Sequence, residues 1–229
     1  MNNKISDVSY LKLKWNIQGV FDDLPIIERE LENRLNQLPE NNLRETRITK
    51  NWIDHIRKIN HKIQYIKKYK IIELEKNIGY SFTEPNLVVL SFIQPSIKNI
   101  FQEINKSSNI NFRINFEPYL KMDEAARVLA LIGDAAISLA LVQILWQPNI
   151  SNVGELTKKR AEFASNENLA RICDKWDLYD HRIHFDPNKY DTKEKTINHV
   201  KGTIVEALFG VIYIENGLGQ VISSIVALK

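Results

Sequence analysis

Residues 123–145 read DEAARVLALIGDAAISLALVQIL, with apolar side chains on nearly every side of a 3.6-residue period. Such a segment predicts a helix buried at the centre of a fold, and Gln147-Pro148-Asn149 ends it. One carboxylate, Asp134, stands in its middle. An acid in so apolar a helix is either a hydrogen-bonded structural group or a functional one.

Moving toward the C-terminus, a helix is expected from Glu155, carrying Leu156, Phe163, Leu169 and Ile172. Residues 180–194 read as a polar loop. Helices from about Thr196 to Ile214 and from Leu218 onward follow. Moving toward the N-terminus, residues 102–118 are rich in Asn and Ser and show no clear period, so 96–122 is read as a long loop or insertion. Glu84-Pro85-Asn86 opens a helix with Leu87, Leu90 and Ile93, which Pro95 interrupts, and Gly79 is a candidate helix C-cap. Further back, Asp23-Leu24-Pro25 signals a helix start, with an apolar face of Leu24, Ile27, Leu31, Leu35 and Leu38 that Pro39 ends. From Asn41 or Asn42, Trp52, Ile56, Ile59, Ile63 and Ile66 form a heptad seam that needs a partner helix. An antiparallel helical hairpin is the simplest arrangement. Leu11, Leu13, Trp15 and Ile17 alternate with polar residues, as in a half-buried strand.

The fold class is therefore all-α, with an N-terminal extension over 1–71 and a main domain over 72–229. Only 8 Gly and 7 Pro in 229 residues leave little room for the turns of an all-β chain. The net charge of +3 implies no partner by itself, but residues 41–71 hold nine Lys or Arg against Glu45 and Asp54. That block is either a phosphate-binding surface or the solvated face of a long helix. One cysteine, Cys173, excludes an intrachain disulfide and a cysteine-rich zinc site, and its helical setting predicts a small buried hydrophobe. The run 128–146 comes nearest to a membrane span, but Asp134 and Gln143 interrupt it, so no membrane partner is expected. A reducing, cytoplasmic setting is the corresponding expectation.

Four segments in series carry a resemblance. The first is Leu74-Glu75-Lys76-Asn77-Ile78-Gly79-Tyr80-Ser81-Phe82. The second is Leu129-Ala130-Leu131-Ile132-Gly133-Asp134-Ala135. Gly154-Glu155-Leu156-Thr157-Lys158-Lys159-Arg160-Ala161, followed by Ser165-Asn166-Glu167-Asn168-Leu169-Ala170, makes the third. Val205-Glu206-Ala207-Leu208-Phe209-Gly210-Val211-Ile212-Tyr213 with Gly217 is the fourth. Together, over about 72–229, they resemble the ribonuclease III family. The resemblance implies the family's all-α endonuclease domain, a two-fold homodimer, double-stranded RNA lying across it, and Mg²⁺ held by carboxylates, with Mn²⁺ as a substitute. Nothing after the fourth segment leaves room for a double-stranded-RNA-binding domain within these residues.

The resemblance also assigns residues. Asp134 matches one metal carboxylate and Glu206 another, while the acids expected four residues before Asp134 and three before Glu206 fall on Ala130 and Thr203. Residues three or four apart share one side of a helix, so each lost acid is the helical neighbour of a retained one. The first acid of the signature falls on Arg127. Thr203 is a candidate to hold a metal-bound water, and His199 is a cap, a surface group or an RNA contact. Leu131 stands where the family has a Phe that packs into the partner subunit.

These expectations lead to an RNA-binding dimer with weak or no nuclease activity, in which Arg127 and the hairpin residues Arg57, Lys58, Lys62, Lys67 and Lys68 contact RNA. An active Mg²⁺-dependent endoribonuclease using Asp134 and Glu206 stays open as an alternative. So does a protein-interaction module without an RNA role.

Overall fold

The computed structural model describes residues 19–107, 114–146, 152–185 and 193–228, and among them only helices, turns and one isolated parallel bridge occur. The alternating segment at 11–17 lies outside the described residues. Helix α1 (Leu24–Gln37) starts with Pro25 in its first turn and buries Leu24, Ile27 and Leu31. Helix α2 (Leu43–Tyr65) is capped by Asn42, whose side chain accepts from the Glu45 N–H at 3.3 Å. Its seam residues Trp52, Ile56, Ile59 and Ile63 are buried as the spacing requires, and each such side chain removed from water contributes about 1.5–3 kcal/mol. The two helices form the expected antiparallel hairpin. Arg57 crosses between them to Glu28 and Glu32, both at 2.8 Å, and Arg34 pairs with Glu45.

The hairpin does not end where the main domain begins. A π turn (Ile66–Lys70) leads α2 without interruption into α3 (Ile71–Ile78), so position 71 lies inside a continuous helical run. Gly79 closes α3 with φ +72°, the left-handed conformation that favours glycine at a C-cap. Tyr80 then donates to Glu215 Oε2 at 2.6 Å, and the same carboxylate accepts the Thr83 and Glu84 N–H groups. The first of the four sequence segments is thereby fastened to the end of the fourth.

Helix α4 (Pro85–Leu90) is shorter than its sequence pattern suggests, because Phe92–Gln94 leave it to pair with Ile183. The Ile183 N–H reaches the Phe92 carbonyl at 2.8 Å and the Gln94 N–H reaches the Ile183 carbonyl at 2.9 Å. The expected loop after residue 96 contains helix α5 (Ile97–Lys106), which buries Ile97, Ile100, Phe101 and Ile104. Those four positions follow the i, i+3, i+4, i+7 pattern, which the intervening polar residues obscure. A short turn, α6 (Glu117–Leu120), precedes the long helix α7 (Met122–Leu145).

The helix expected from Glu155 is two helices, α8 (Val153–Phe163) and α9 (Asn166–Lys175). Ser165 separates them by accepting the Asn168 N–H at 3.1 Å, as an N-cap does. Cys173 is buried in α9, and burial pushes its thiol up to about 12, consistent with an inert apolar residue. Helix α10 (Glu194–Ser224) contains a break at Gly217, with φ +71°, where the sequence places the boundary between two helices.

Helices α7 and α10 form the centre. A side chain at Gly133 would put its Cβ 1.7 Å from the Glu206 carbonyl oxygen, and one at Gly210 would lie 2.1 Å from the Leu129 carbonyl oxygen. The two backbones touch there, which only glycine allows. Met122–Leu145 and Glu194–Leu228 are long and apolar enough to cross a bilayer by length and composition, where the sequence reading expects no such stretch. Their mutual packing accounts for much of that apolarity, but not all. Helix α7, expected to be buried on nearly all sides, leaves Leu131 68% exposed, with Val128 and Leu139 also open to solvent.

Candidate functional site

Where α7 and α10 cross, the start of α9 closes one side of an open cavity of about 600 Å³. Its walls include Asp134, Glu206, Ala130, Thr203, Arg127 and His199, so every site residue assigned from the two long helices is brought together. The close contact of Gly133 with the Glu206 backbone is what sets this register. Asp134 follows Gly133 directly, and it therefore stands opposite Glu206.

Burial, together with the Asp134 carboxylate, pushes Glu206 up to about 7. The two acids thus share one field, which is what a cation site needs before its cation arrives. Ala130 and Thr203 leave the adjacent positions without charge. The Thr203 hydroxyl donates to the His199 carbonyl at 2.9 Å. Arg127 lies on the rim, where its guanidinium donates to the buried Asp123 at 3.0 Å, and Lys98 holds the same carboxylate at 3.2 Å. Asp123 is therefore occupied as an anchor for two cations and does not line the cavity.

Among the lining residues that escape the sequence assignment are Asn166 and Glu167 at the start of α9. The signal lay within the quoted Ser165-Asn166-Glu167 segment, whose acid belongs to a helix other than the two considered for metal. Among the described residues no three His, Cys, Asp or Glu side chains converge closely enough to hold a metal ion by themselves. The pair Asp134 and Glu206 still suits a hard divalent cation, since such ions are commonly bound through one or two carboxylates with water and phosphate completing the shell. A bound Mg²⁺ would supply a polarised phosphate and an activated water. The chain's own part is to hold the two carboxylates on opposed helices, with Glu167 elsewhere on the cavity wall.

The Glu206 shift has a consequence for stability. Its ordinary value is 4.5 and its folded value about 7, so the folded chain retains a proton that the unfolded chain has already released between those pH values. The contribution of Glu206 to stability is greatest below about pH 4.5 and falls as pH rises through 7, by on the order of 3 kcal/mol in metal-free buffer. Glu206→Gln should match the wild type near pH 4.5 and melt higher than it at pH 8. Equal melting temperatures at pH 8 would refute the shift.

The hairpin cations are placed unequally. Arg57 is bound to Glu28 and Glu32. Lys62 donates to the carbonyl oxygens of Asp180 and Arg182 at 3.0 and 2.8 Å, which fastens α2 to the 178–185 segment. Lys67 lies 3.6 Å from Asp22 and Lys70 is buried between Glu73 and Asp177. Lys58 and Lys68, with Arg44, Arg47 and Lys50, are exposed and make no ion pair among the described residues.

The family model described as "Ribonuclease III domain" matches residues 127–217, the span that holds most of α7, all of α8 and α9, and most of α10. Ribonuclease 3 of Clostridium acetobutylicum is 29% identical over 147 residues, covering 63% of this chain and 55% of that protein. The Nitratiruptor sp. and Sinorhizobium fredii ribonucleases 3 are 28% and 27% identical, with 56% and 52% of their lengths covered. The chain thus spans about half the length of these curated relatives. Among solved structures, the nuclease domain of the Campylobacter jejuni ribonuclease III aligns with a TM-score of 0.50 at 21% identity, over 69% of this chain and 94% of that one. The family match over residues 127–217 and the shared fold agree on the crossing of α7 and α10: this part of the chain is similar to a ribonuclease III domain, and a helical hairpin precedes it.

Proposed function

We propose that the protein binds double-stranded or structured RNA as a homodimer, and that its reduced carboxylate site cleaves RNA weakly or not at all. The observation that carries this reading is the cavity between α7 and α10, which keeps Asp134 and Glu206 but sets Ala130 and Thr203 beside them and Arg127 at the rim. Fewer carboxylates weaken metal binding and remove groups that would orient it. The guanidinium favours holding a phosphate. Mg²⁺, with Mn²⁺ as a substitute, is the cation the remaining pair suits, and a cytoplasmic setting belongs to the same proposal.

The dimer rests on α7. Val128, Leu131 and Leu139 lie on one side of it and are 41%, 68% and 50% exposed. An apolar ridge of that kind on a helix that otherwise forms the core calls for a partner surface, and a two-fold copy supplies the same ridge. The exposed hairpin cations add a second phosphate-binding surface. An active Mg²⁺-dependent nuclease is the alternative reading, and Glu167 favours it by supplying a third carboxylate to the cavity wall.

Titration of labelled duplex RNA, with EDTA for binding and with Mg²⁺ or Mn²⁺ for cleavage, tests both readings. The expected result is binding that weakens steeply with salt, and little product. Leu131→Arg should yield monomer by sedimentation and bind duplex less tightly. Absence of duplex binding at moderate salt overturns the RNA reading. Rapid turnover that Asp134→Asn abolishes establishes the nuclease instead.

A further inference from the structure

The π turn at Ile66–Lys70 places one extra residue in the helical run from Leu43 to Ile78. Lys70 and Ile71 consequently both point inward and are both buried. Lys70 Nζ is held by Glu73 at 2.6 Å and by Asp177 at 3.5 Å. On the outer side the same segment presents Tyr65, Tyr69 and Ile72, exposed by 42%, 47% and 51%.

The rings there are ordered against one another. Tyr65 stacks on His181 with centroids 5.0 Å apart and planes 14° from parallel. Tyr69 lies 5.3 Å from Tyr65, and Lys68 Nζ sits 5.0 Å from the Tyr69 centroid. A shallow cavity of about 320 Å³ beside Tyr65 is edged by Lys76, Asn77 and Lys175. Upstream along the helix, Arg44, Arg47, Lys50 and Lys58 are exposed and form no ion pair among the described residues. Of the acids nearby, Glu73 and Asp177 are both engaged with Lys70.

Aromatic faces next to a track of unpaired cations match the chemistry of an unpaired nucleic-acid strand, whose bases offer π faces and whose backbone offers phosphates. An acidic peptide would satisfy the cations and leave the rings without a role. We infer that Tyr65, Lys68 and Tyr69, with Lys76 and Lys175 beside them, form a stacking platform for unpaired nucleotides of RNA, whose backbone follows the cations of α2. This deepens the RNA reading proposed above and rests on it.

Fluorescence anisotropy with the full chain tests the platform, comparing a blunt RNA duplex with the same duplex bearing a short single-stranded tail. The tail should tighten wild-type binding by about tenfold, the range typical of base–aromatic stacking. Tyr65→Leu/Tyr69→Leu should lose that gain while keeping its affinity for the blunt duplex, and Tyr65→Phe/Tyr69→Phe should retain it. Because Tyr65 also packs on His181, a second pair removes charge alone: Lys68→Gln/Lys76→Gln should lower the salt dependence of tail binding by roughly one to two phosphate contacts. A tail that adds nothing, or a gain that survives both pairs, overturns the inference. Equal displacement of the tail by poly-glutamate overturns it too, since charge alone would then suffice. If the blunt duplex fails to bind while the tailed strand binds through Tyr65 and Tyr69, the duplex reading falls and the platform stands.

Discussion

Gly133→Ala is expected to lower the melting temperature by about 10 °C. The new Cβ would meet the Glu206 carbonyl oxygen at 1.7 Å, its carbon at 2.6 Å and the Gly210 nitrogen at 2.7 Å. All three are backbone atoms of α10, so no side chain can rotate out of the way and the helices themselves must separate. Overpacking ordinarily costs about 1–3 kcal/mol, and a backbone obstruction lies at or above the top of that range. A domain of this size loses roughly 2–4 °C per kcal/mol. Gly219→Ala is the control, because its Cβ meets nothing within 4 Å and its position is helical and exposed. It should be neutral or stabilising by about 0.5–1 kcal/mol. Thermal unfolding followed by circular dichroism decides the matter, and a Gly133→Ala protein that melts with the wild type would show that the helices do not touch. The effect would extend to the cavity, since moving α10 away from α7 parts Glu206 from Asp134.

Restoring the missing acids should produce the largest change in activity. Ala130→Glu with Thr203→Asp returns each retained carboxylate its helical neighbour, and Mg²⁺-dependent cleavage of duplex RNA should rise by about 100-fold or more. Metal ions supply several kcal/mol of transition-state stabilisation, and about 1.4 kcal/mol is a tenfold change in rate. Position 130 lines the cavity but is only 5% exposed, so a new carboxylate there adds repulsion to a pair already strained by its shared charge. The double variant should therefore melt below the wild type in EDTA and recover when Mg²⁺ or Mn²⁺ is added, because a ligand that binds only the folded state stabilises it. Metal-dependent recovery without any rise in cleavage would place the deficiency elsewhere than in the carboxylate set. Recovery of neither would mean that the cavity does not hold a metal at all.

Much of this architecture is legible in the amino-acid sequence, for identifiable physical reasons. Helix α7 is apolar over its whole length, and the hairpin seam from Trp52 to Ile66 repeats regularly, so both announce themselves. The Gly133-Asp134 pair fixes the register that brings Asp134 to Glu206. Helix α5 was obscured because Asn99, Gln102 and Asn105 dilute an otherwise clear apolar face of Ile97, Ile100, Phe101 and Ile104. The division of α8 from α9 depends on Ser165 acting as a cap, which a helical count through Phe163 and Leu169 passes over. Glu167 stood in a recognised motif but on a third helix. The charges of the hairpin were the least readable, since the partners that occupy Arg57 and Lys62 lie 25 to 120 residues away in the chain.

That last separation bears on how the protein is made. Lys62 waits for the carbonyl oxygen of Arg182, 120 residues later, and Trp52 for Glu103, 51 residues later. At about 5–20 residues per second of synthesis, the hairpin leaves the ribosome roughly 6–24 seconds before the last of these partners exists. Until residues beyond Ile78 are made, the isoleucine seam of α2 has chiefly α1 to cover it. The hairpin, made before the segments it docks on, is thus among the last elements to reach its final surroundings, and the nascent chain is exposed to misassociation through it.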